Sequence, residues 1–408
     1  MYYLDIVDKL LYVAEVLCPF CLWIYLKKSK FRSFLALFWY RVKYSNCRFF
    51  YDEDLSKKII TTQSKMQKSH FIDYSIAKRN QYYALDQTTI SVRVNGNTEE
   101  LNLPYSILAD YIEDNKMRIS VENIITDQYE LPTEIDTLTT PVLEDFLNNK
   151  PGTYNESILR INSLCPNQNG IGWRCILQQT DYFTQIRTNL TLDVQLENAL
   201  KEDTLRQRDI MQAEYHRLPK FENSVMANSI GVSAIWCFVS KVSKRTSKRR
   251  FFFLKPRRQN TGVFSNMLGS VSGAVKFPQN GNINEPYLEN YLINEMRREF
   301  YEETGYDEFM KDNSITEDKI TIIPLAFARE FARGGKPQFF FLIVTPEISN
   351  RDMIKYYKKS LDGFNEFDDT LLKNSIQNID LSPETHTNFI YALKYIQKNR
   401  NCPFVDLD

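Results

Sequence analysis

Four glutamates lie close together in the C-terminal half of the chain. They are Glu295, Glu299, Glu302 and Glu303, and Arg298 lies among them. On a helix, residues three and four apart share a face, so these acids would project to one side. Packing so many negative charges together costs Coulomb energy unless cations compensate it. Arg298 supplies one positive charge, and Mg²⁺ bound through carboxylate and phosphate oxygens would supply the rest.

The elements expected around the glutamates favour a metal site over a solvated acidic surface, the usual fate of a glutamate-rich helix face. A helix is predicted from about residue 287 to 303, and Gly305 is a natural residue to end it. Apolar runs at residues 230–239 and 320–327 predict buried strands on either side of this helix. The acids would therefore lie at a helix end beside a hydrophobic core.

The nine residues from Arg298 to Tyr306 resemble the second half of the Nudix box, Arg-Glu-U-x-Glu-Glu-x-Gly-U, where U is a bulky apolar residue. All five fixed positions agree, and the two U positions are the aromatic residues Phe300 and Tyr306. Fixed residues at fixed spacing, ending a predicted helix between strands, are far more specific than a loose glycine motif. The resemblance covers about residues 225–350 and implies a hydrolase that cleaves pyrophosphate bonds.

The resemblance also implies a role for each acid. Glu302 and Glu303 would bind Mg²⁺, with Mn²⁺ as an alternative ion, and Glu299 would be either a third ligand or the base that deprotonates the attacking water. Arg298 would orient a glutamate through a salt bridge. The catalytic residues would thus be Glu299, Glu302 and Arg298.

The first half of the Nudix box departs from the family pattern. Position 290 is Asn where the family has Glu, and the loop before the helix is longer than usual. The box glycine is then either Gly273 or Gly281. We favour Gly273 as part of the metal site, because it ends a strand-like segment where its backbone carbonyl could face the ion.

Basic residues at the ends of the predicted strands are candidates for binding substrate phosphates. They are Lys255, Arg257, Arg258 and Arg329, each with ordinary solvated surface as its alternative role. Glu330 follows Arg329 and is a further candidate ligand or base. We expect a small-molecule substrate, a nucleoside diphosphate linked to another group, whose leaving phosphate the metal and these residues would stabilise.

The patterning of the chain predicts three segments. Residues 1–45 are a hydrophobic segment, residues 46–224 an α+β domain of unknown role, and residues 225–408 a Nudix domain with C-terminal helices. The fold class is α/β, with a mixed sheet sandwiched between helices in the C-terminal half. Within the middle segment, residues 90–103 predict a hairpin and residues 196–218 a polar helix.

The hydrophobic segment has two interpretations that the sequence leaves open. Residues 10–26 are nearly all apolar apart from Glu15, which is slightly short of the roughly 20 residues that cross a bilayer. The segment is therefore either a membrane anchor or a hydrophobic helix docked on the rest of the protein. If it spans a membrane, the basic cluster after residue 26 and the catalytic domain face the cytoplasm. In both interpretations a cytoplasmic location is expected.

The composition of the chain argues against several classes of partner and catalytic site. The chain has 51 basic and 51 acidic residues, so we expect no nucleic-acid partner. Seven scattered cysteines suit a reducing compartment, and three histidines leave little for a zinc site or a histidine-based triad.

Two alternatives to hydrolysis remain open. The domain could bind a nucleotide as a sensor without hydrolysing it, or it could be an isoprenoid-diphosphate isomerase, which ranks lower because no cysteine precedes the box in a catalytic position.

Overall fold

The computed structural model describes residues 48–50, 83–94, 97–149, 151–168, 170–196, 205–211, 217–241, 248–257, 267–357, 359–360 and 381–399. The predicted hydrophobic segment 1–45 and Arg258 lie outside the described residues. Residues 48–408 group into one compact unit by their contacts. None of the helices described in these ranges combines the length and the apolar character that crossing a bilayer requires.

The strands are β1 Arg48–Phe50, β2 Thr89–Val94, β3 Asn97–Asn102, β4 Tyr105–Asp110, β5 Ile119–Ile125, β6 Ser157–Pro166, β7 Trp173–Asp181, β8 Gln195–Leu196, β9 Leu205–Arg206, β10 Gly231–Lys241, β11 Lys248–Phe253, β12 Lys255–Pro256, β13 Leu268–Gly269, β14 Val271–Ala274, β15 Thr321–Glu330 and β16 Lys336–Thr345. The helices are α1 Thr133–Asn149, α2 Tyr182–Arg187, α3 Gln207–Met211, α4 Leu288–Thr304, α5 Tyr306–Asp312, α6 Asn350–Tyr357 and α7 Pro383–Lys398.

A mixed seven-stranded sheet forms the centre of the described part of the chain. Its order is β1-β11-β10-β16-β15-β4, and β14 pairs with the first residues of β10. The pairing of β10 with β16 is parallel and the other pairings are antiparallel. The protein is therefore a mixed α/β protein, as the sequence predicts.

Both faces of this sheet are covered, which explains why its central strands are continuous apolar runs. Every residue of β16 is buried. Trp236 in β10 contacts Phe300 of α4 on one face, with the ring centroids 5.0 Å apart. On the other face Phe340 of β16 stacks on Tyr391 of α7. The helices α4 and α7 thus lie on opposite faces of the sheet.

The segment before residue 225 joins the same sheet. Strand β4 pairs antiparallel with β15, and the hairpin β2–β3 precedes it, as predicted. A second sheet, β5-β7-β6, lies beside the start of β10 and the end of β14, because Arg160 and Ile158 form isolated bridges with Ser229 and Lys276. The boundary predicted between residues 224 and 225 therefore separates two segments that share the central sheet.

Most local elements after residue 225 agree with the sequence-based prediction. Helix α4 ends at Gly305, whose φ of 65° is the left-handed conformation that glycine adopts most easily. Helix α7 begins with Ser382 as its N-cap and Pro383 in its first turn, as predicted. The predicted polar helix at 196–218 is wrong where the chain is described, because residues 205–206 are a strand and only Gln207–Met211 are helical.

Candidate active site

Helix α4 carries the four glutamates, and its packing sets how far each is exposed. Leu292, Met296 and Phe300 are completely buried and fix the helix against the sheet. Glu299 and Glu303 lie on the same buried side, with 8% and 4% of their surface exposed. The Glu302 side chain is 43% exposed. The Glu295 side chain is 14% exposed. Of the four carboxylates, only that of Glu302 is therefore widely open to solvent.

Arg298 bridges three of the glutamates. Its Nη2 atom lies 3.0 Å from Glu295 and 2.7 Å from Glu299, and its Nη1 atom lies 2.8 Å from Glu302. Burial lowers the pKa of Arg298, but the negative charges of Glu299, Glu295 and Glu302 outweigh burial and raise the pKa above its ordinary value. Arg298 therefore stays charged and gives the glutamates part of the positive charge that their clustering requires.

Glu299 is in close contact with the backbone of Gly273. A Cβ atom added to Gly273 would lie 2.1 Å from the Glu299 carboxyl carbon and 2.3 and 2.5 Å from its two oxygens. Only a residue without a side chain allows this approach. Burial raises the pKa of Glu299 to about 7, opposed by Arg298 and reinforced by Glu302 and Glu295. The alternative glycine, Gly281, faces Thr126 instead.

Glu303 is held by Lys255 and by the backbone of β14. The Lys255 Nζ atom lies 3.0 Å from Glu303 Oε1, and both side chains are nearly buried. The backbone N–H of Ser272 donates to Glu303 Oε2 at 3.1 Å. Arg257 Nη1 donates to the Ser272 hydroxyl at 3.4 Å. Lys255 and Arg257 are thus the predicted basic residues that the structure brings next to the glutamates.

Arg329 and Glu330 make their described contacts elsewhere. Arg329 donates to the carbonyl oxygens of Pro219 and Gly335 and lies over the ring of Phe221. Glu330 accepts from Arg333 at 2.6 Å, on the side of the sheet that faces α7. Neither residue contacts a glutamate of α4 through a described hydrogen bond or ion pair.

One functional feature was not predicted from the sequence. Glu289, at the start of α4, is 3% exposed and accepts from the Tyr111 hydroxyl at 2.7 Å and from the Ile119 N–H at 3.0 Å. Tyr287 also forms a bridge with Ser120. The segment around β5 therefore fixes the N-terminal end of the helix that carries the glutamates. These two contacts join residues that are 178 and 170 positions apart in the sequence, so they leave no local sequence signal.

The site is thus a set of carboxylates on one helix, paired with Arg298 and Lys255, beside a glycine of a neighbouring strand. As the side chains of the described residues are oriented, no group of three or more histidines, cysteines, aspartates or glutamates is placed to hold a metal ion. Glu299, Glu302 and Glu303 contact Arg298 or Lys255 instead. Fold and site together define a mixed α/β protein with an acidic helix site. No family model matches the chain, and no curated protein matches it either.

Proposed function

We propose that this protein is a Mg²⁺-dependent hydrolase of the Nudix type, which cleaves the pyrophosphate bond of a nucleoside diphosphate linked to another group. The single observation that carries the proposal is the contact between Gly273 and the Glu299 carboxylate. It brings Gly273, the favoured candidate for the box glycine, beside the helix that contains the Nudix-like residues. The finer fold assignment, a Nudix sandwich with α4 and α7 on opposite faces of a mixed sheet, belongs to the same proposal.

The chemistry of the donor groups fits a hard divalent cation. Carboxylate oxygens are the ligands that Mg²⁺ prefers, together with water and substrate phosphates. Glu299, Glu302 and Glu303 would hold the ion once their carboxylates turn toward it from Arg298 and Lys255, which they contact now. When bound, Mg²⁺ would polarise the phosphoryl group and make a bound water more acidic.

The positively charged residues explain how the site is stable before the ion and substrate bind. Arg298 and Lys255 neutralise the buried glutamates, which would otherwise be costly to bury. The cation would take over part of this neutralisation. Lys255 could then turn toward the substrate phosphates, and Arg257 lies beside it to bind the leaving group. Arg298 would keep its role of orienting Glu299.

A second candidate function is nucleotide binding without hydrolysis. It is favoured by the ion pairs themselves, because Glu299, Glu302 and Glu303 all contact a cationic side chain. If these pairs persist in the presence of Mg²⁺, the domain would recognise a nucleotide and report it to other parts of the chain.

The test is hydrolysis of a panel of nucleoside diphosphate derivatives by the purified full chain with Mg²⁺. We expect turnover that falls at least about 100-fold in Glu302→Gln, because metal stabilisation of the developing charge is worth several kcal/mol. The matched control is Glu308→Gln, since the two glutamate side chains are similarly exposed, at 43% and 48%. Turnover that is equal in both variants would contradict the proposal. Nucleotide binding without turnover on any substrate would select the second candidate.

A further inference from the structure

A cluster of buried polar side chains lies on the face of the central sheet that α7 covers. The end of β15, the turn after it and the start of β16 contribute four of its members, and α7 contributes two. Together the six residues form what we call the polar cluster: Glu330, Arg333, Lys336, Gln338, Glu384 and Asn388. Each of them is at most 6% exposed. Since charged residues are rarely buried without a reason, the cluster is a candidate binding site.

Strand register and helix spacing bring these residues together. Glu330 pairs with Lys336 across the hairpin. Glu384 and Asn388 lie one turn apart on α7 and therefore share a face. Gly231 makes room for the cluster, because a Cβ atom there would lie 2.2 Å from both the Lys336 Nζ atom and the Gln338 Oε1 atom.

The charges of the polar cluster nearly balance. Arg333 contacts the carboxylates of both Glu330 and Glu384. Lys336 donates to Gln338 at 3.3 Å. Burial and the charge of Arg333 together lower the pKa of Lys336 to about 7, against the opposing effects of Glu384 and Glu330. The four charged side chains sum to zero when Lys336 is protonated and to minus one when it is not, so the cluster suits a neutral group better than a free anion.

Four buried polar atoms in and beside the polar cluster have no hydrogen-bond partner among the described residues. They are Glu330 Oε1, Gln338 Nε2, Asn388 Oδ1 and the hydroxyl of Thr387. Buried polar groups are normally hydrogen-bonded, so each such atom calls for an explanation. The set contains two acceptors, one amide donor and one hydroxyl that can act as either. A planar ring with both donors and acceptors along one edge, such as a nucleobase, would satisfy them.

The polar cluster lies at the same end of the central sheet as the candidate active site, but on the opposite face. Gly231 pairs with Ala274 on one side and with Gln338 on the other. Neighbouring strands lie about 4.8 Å apart, so Gln338 is roughly 10 Å from the strand that carries Gly273.

We propose that the polar cluster, with Thr387, binds the nucleobase of the substrate while the glutamates of α4 hold its diphosphate. This inference rests on the proposed function and names the part of the substrate that the protein recognises. Because the cluster is closed from solvent, the base can enter only if the β15–β16 turn or α7 moves. Binding would therefore order or shift these two elements.

The test measures equilibrium binding of nucleoside monophosphates and of ribose 5-phosphate, which lacks a base, to the full chain without metal. Calorimetry should show at least one nucleoside monophosphate that binds tenfold or more tightly than ribose 5-phosphate. In Thr387→Val its affinity should fall by about 2- to 10-fold, the usual effect of one lost hydrogen bond. The same variant should not lower the melting temperature, since it removes a buried hydroxyl that has no described partner. Gln338→Met, which removes the amide donor, should weaken binding of the same nucleotide.

Thr139→Val is the matched control. Thr139 is equally buried, but its hydroxyl donates to the Ile135 carbonyl oxygen and accepts from Arg187 in a part of the molecule outside the polar cluster. This variant should lower the melting temperature and leave nucleotide binding unchanged.

The outcomes separate this inference from the proposed function. Equal affinity for ribose 5-phosphate and for every nucleoside monophosphate, or no binding at all, would overturn it. Unchanged binding in both Thr387→Val and Gln338→Met would overturn it too, even if the wild-type protein hydrolyses its substrate normally. Conversely, selective base binding that both variants weaken would support it even if no substrate is hydrolysed.

Discussion

Replacing Gly273 by alanine places a methyl group against the Glu299 carboxylate. The added Cβ would lie 2.1 Å from the carboxyl carbon, whereas ordinary contacts begin at 3.4 Å. If the backbone stays in place, the carboxylate must therefore move by about 1.3 Å, the difference between these two distances. The ion pair between Glu299 and Arg298 is 2.7 Å long, so a displacement of this size is enough to disturb it.

The expected effect on activity follows from this displacement. A misplacement of about 1 Å at a reacting centre can cost on the order of 100-fold in rate. Crowding a packed site costs roughly 1–3 kcal/mol of stability. We therefore expect Gly273→Ala to remain folded, with a modestly lower melting temperature, and to lose about two orders of magnitude in kcat.

Gly281→Ala is the matched control for this prediction. Its φ of 64° is unfavourable for alanine, and its Cβ would lie 2.9 Å from a methyl group of Thr126, so this variant should lose a similar amount of stability. It does not touch Glu299. The assay is Mg²⁺-dependent hydrolysis, with melting temperatures recorded for both variants. If Gly273→Ala keeps the kcat of Gly281→Ala, the assignment of Gly273 to the site is refuted.

Two further predictions concern stability. The pKa of Lys336 is about 7 in the folded protein, against an ordinary value of 10.5. Between these two values the unfolded chain binds more protons than the folded protein, so the free energy of unfolding rises with pH. This residue contributes up to about 1.4 kcal/mol per pH unit. Lys336→Met should lack that rise. The free energy of unfolding of wild type relative to Lys336→Met, measured with urea, should therefore be higher at pH 9 than at pH 7. An equal difference at both pH values would contradict the low pKa. Tyr111→Phe removes a hydrogen bond to the buried Glu289 and should lower the free energy of unfolding by about 1–3 kcal/mol. An unchanged urea midpoint would show that this hydrogen bond does not stabilise the fold.

The elements that the sequence predicts well are those with a strong local pattern. The apolar run at residues 230–239 and the end of α4 at Gly305 are recovered within a few residues. The hairpin at 90–103 is recovered for the same reason. In each case the periodicity or the turn residue is itself the physical cause of the element.

What the sequence does not predict depends on contacts between distant residues. The residues around 196–218 are polar and helix-compatible, yet part of this stretch pairs as β8–β9, because tertiary contacts override weak local preferences. Glu330 follows Arg329 at a strand end and was expected at the glutamates of α4, but it contacts Arg333 near α7. The face toward which the Glu330 side chain points depends on strand alternation at the end of β15, and the spacing of charged residues in the sequence does not reveal it.

Binding of Mn²⁺, followed by its electron paramagnetic resonance signal, tests most directly whether the glutamates of α4 hold a divalent ion. We predict that wild type and Glu308→Gln bind Mn²⁺ equally, that Mg²⁺ competes for the site, and that Glu302→Gln binds Mn²⁺ at least about tenfold more weakly. No bound Mn²⁺ in the wild-type protein, or equal affinity in Glu302→Gln and Glu308→Gln, would contradict it.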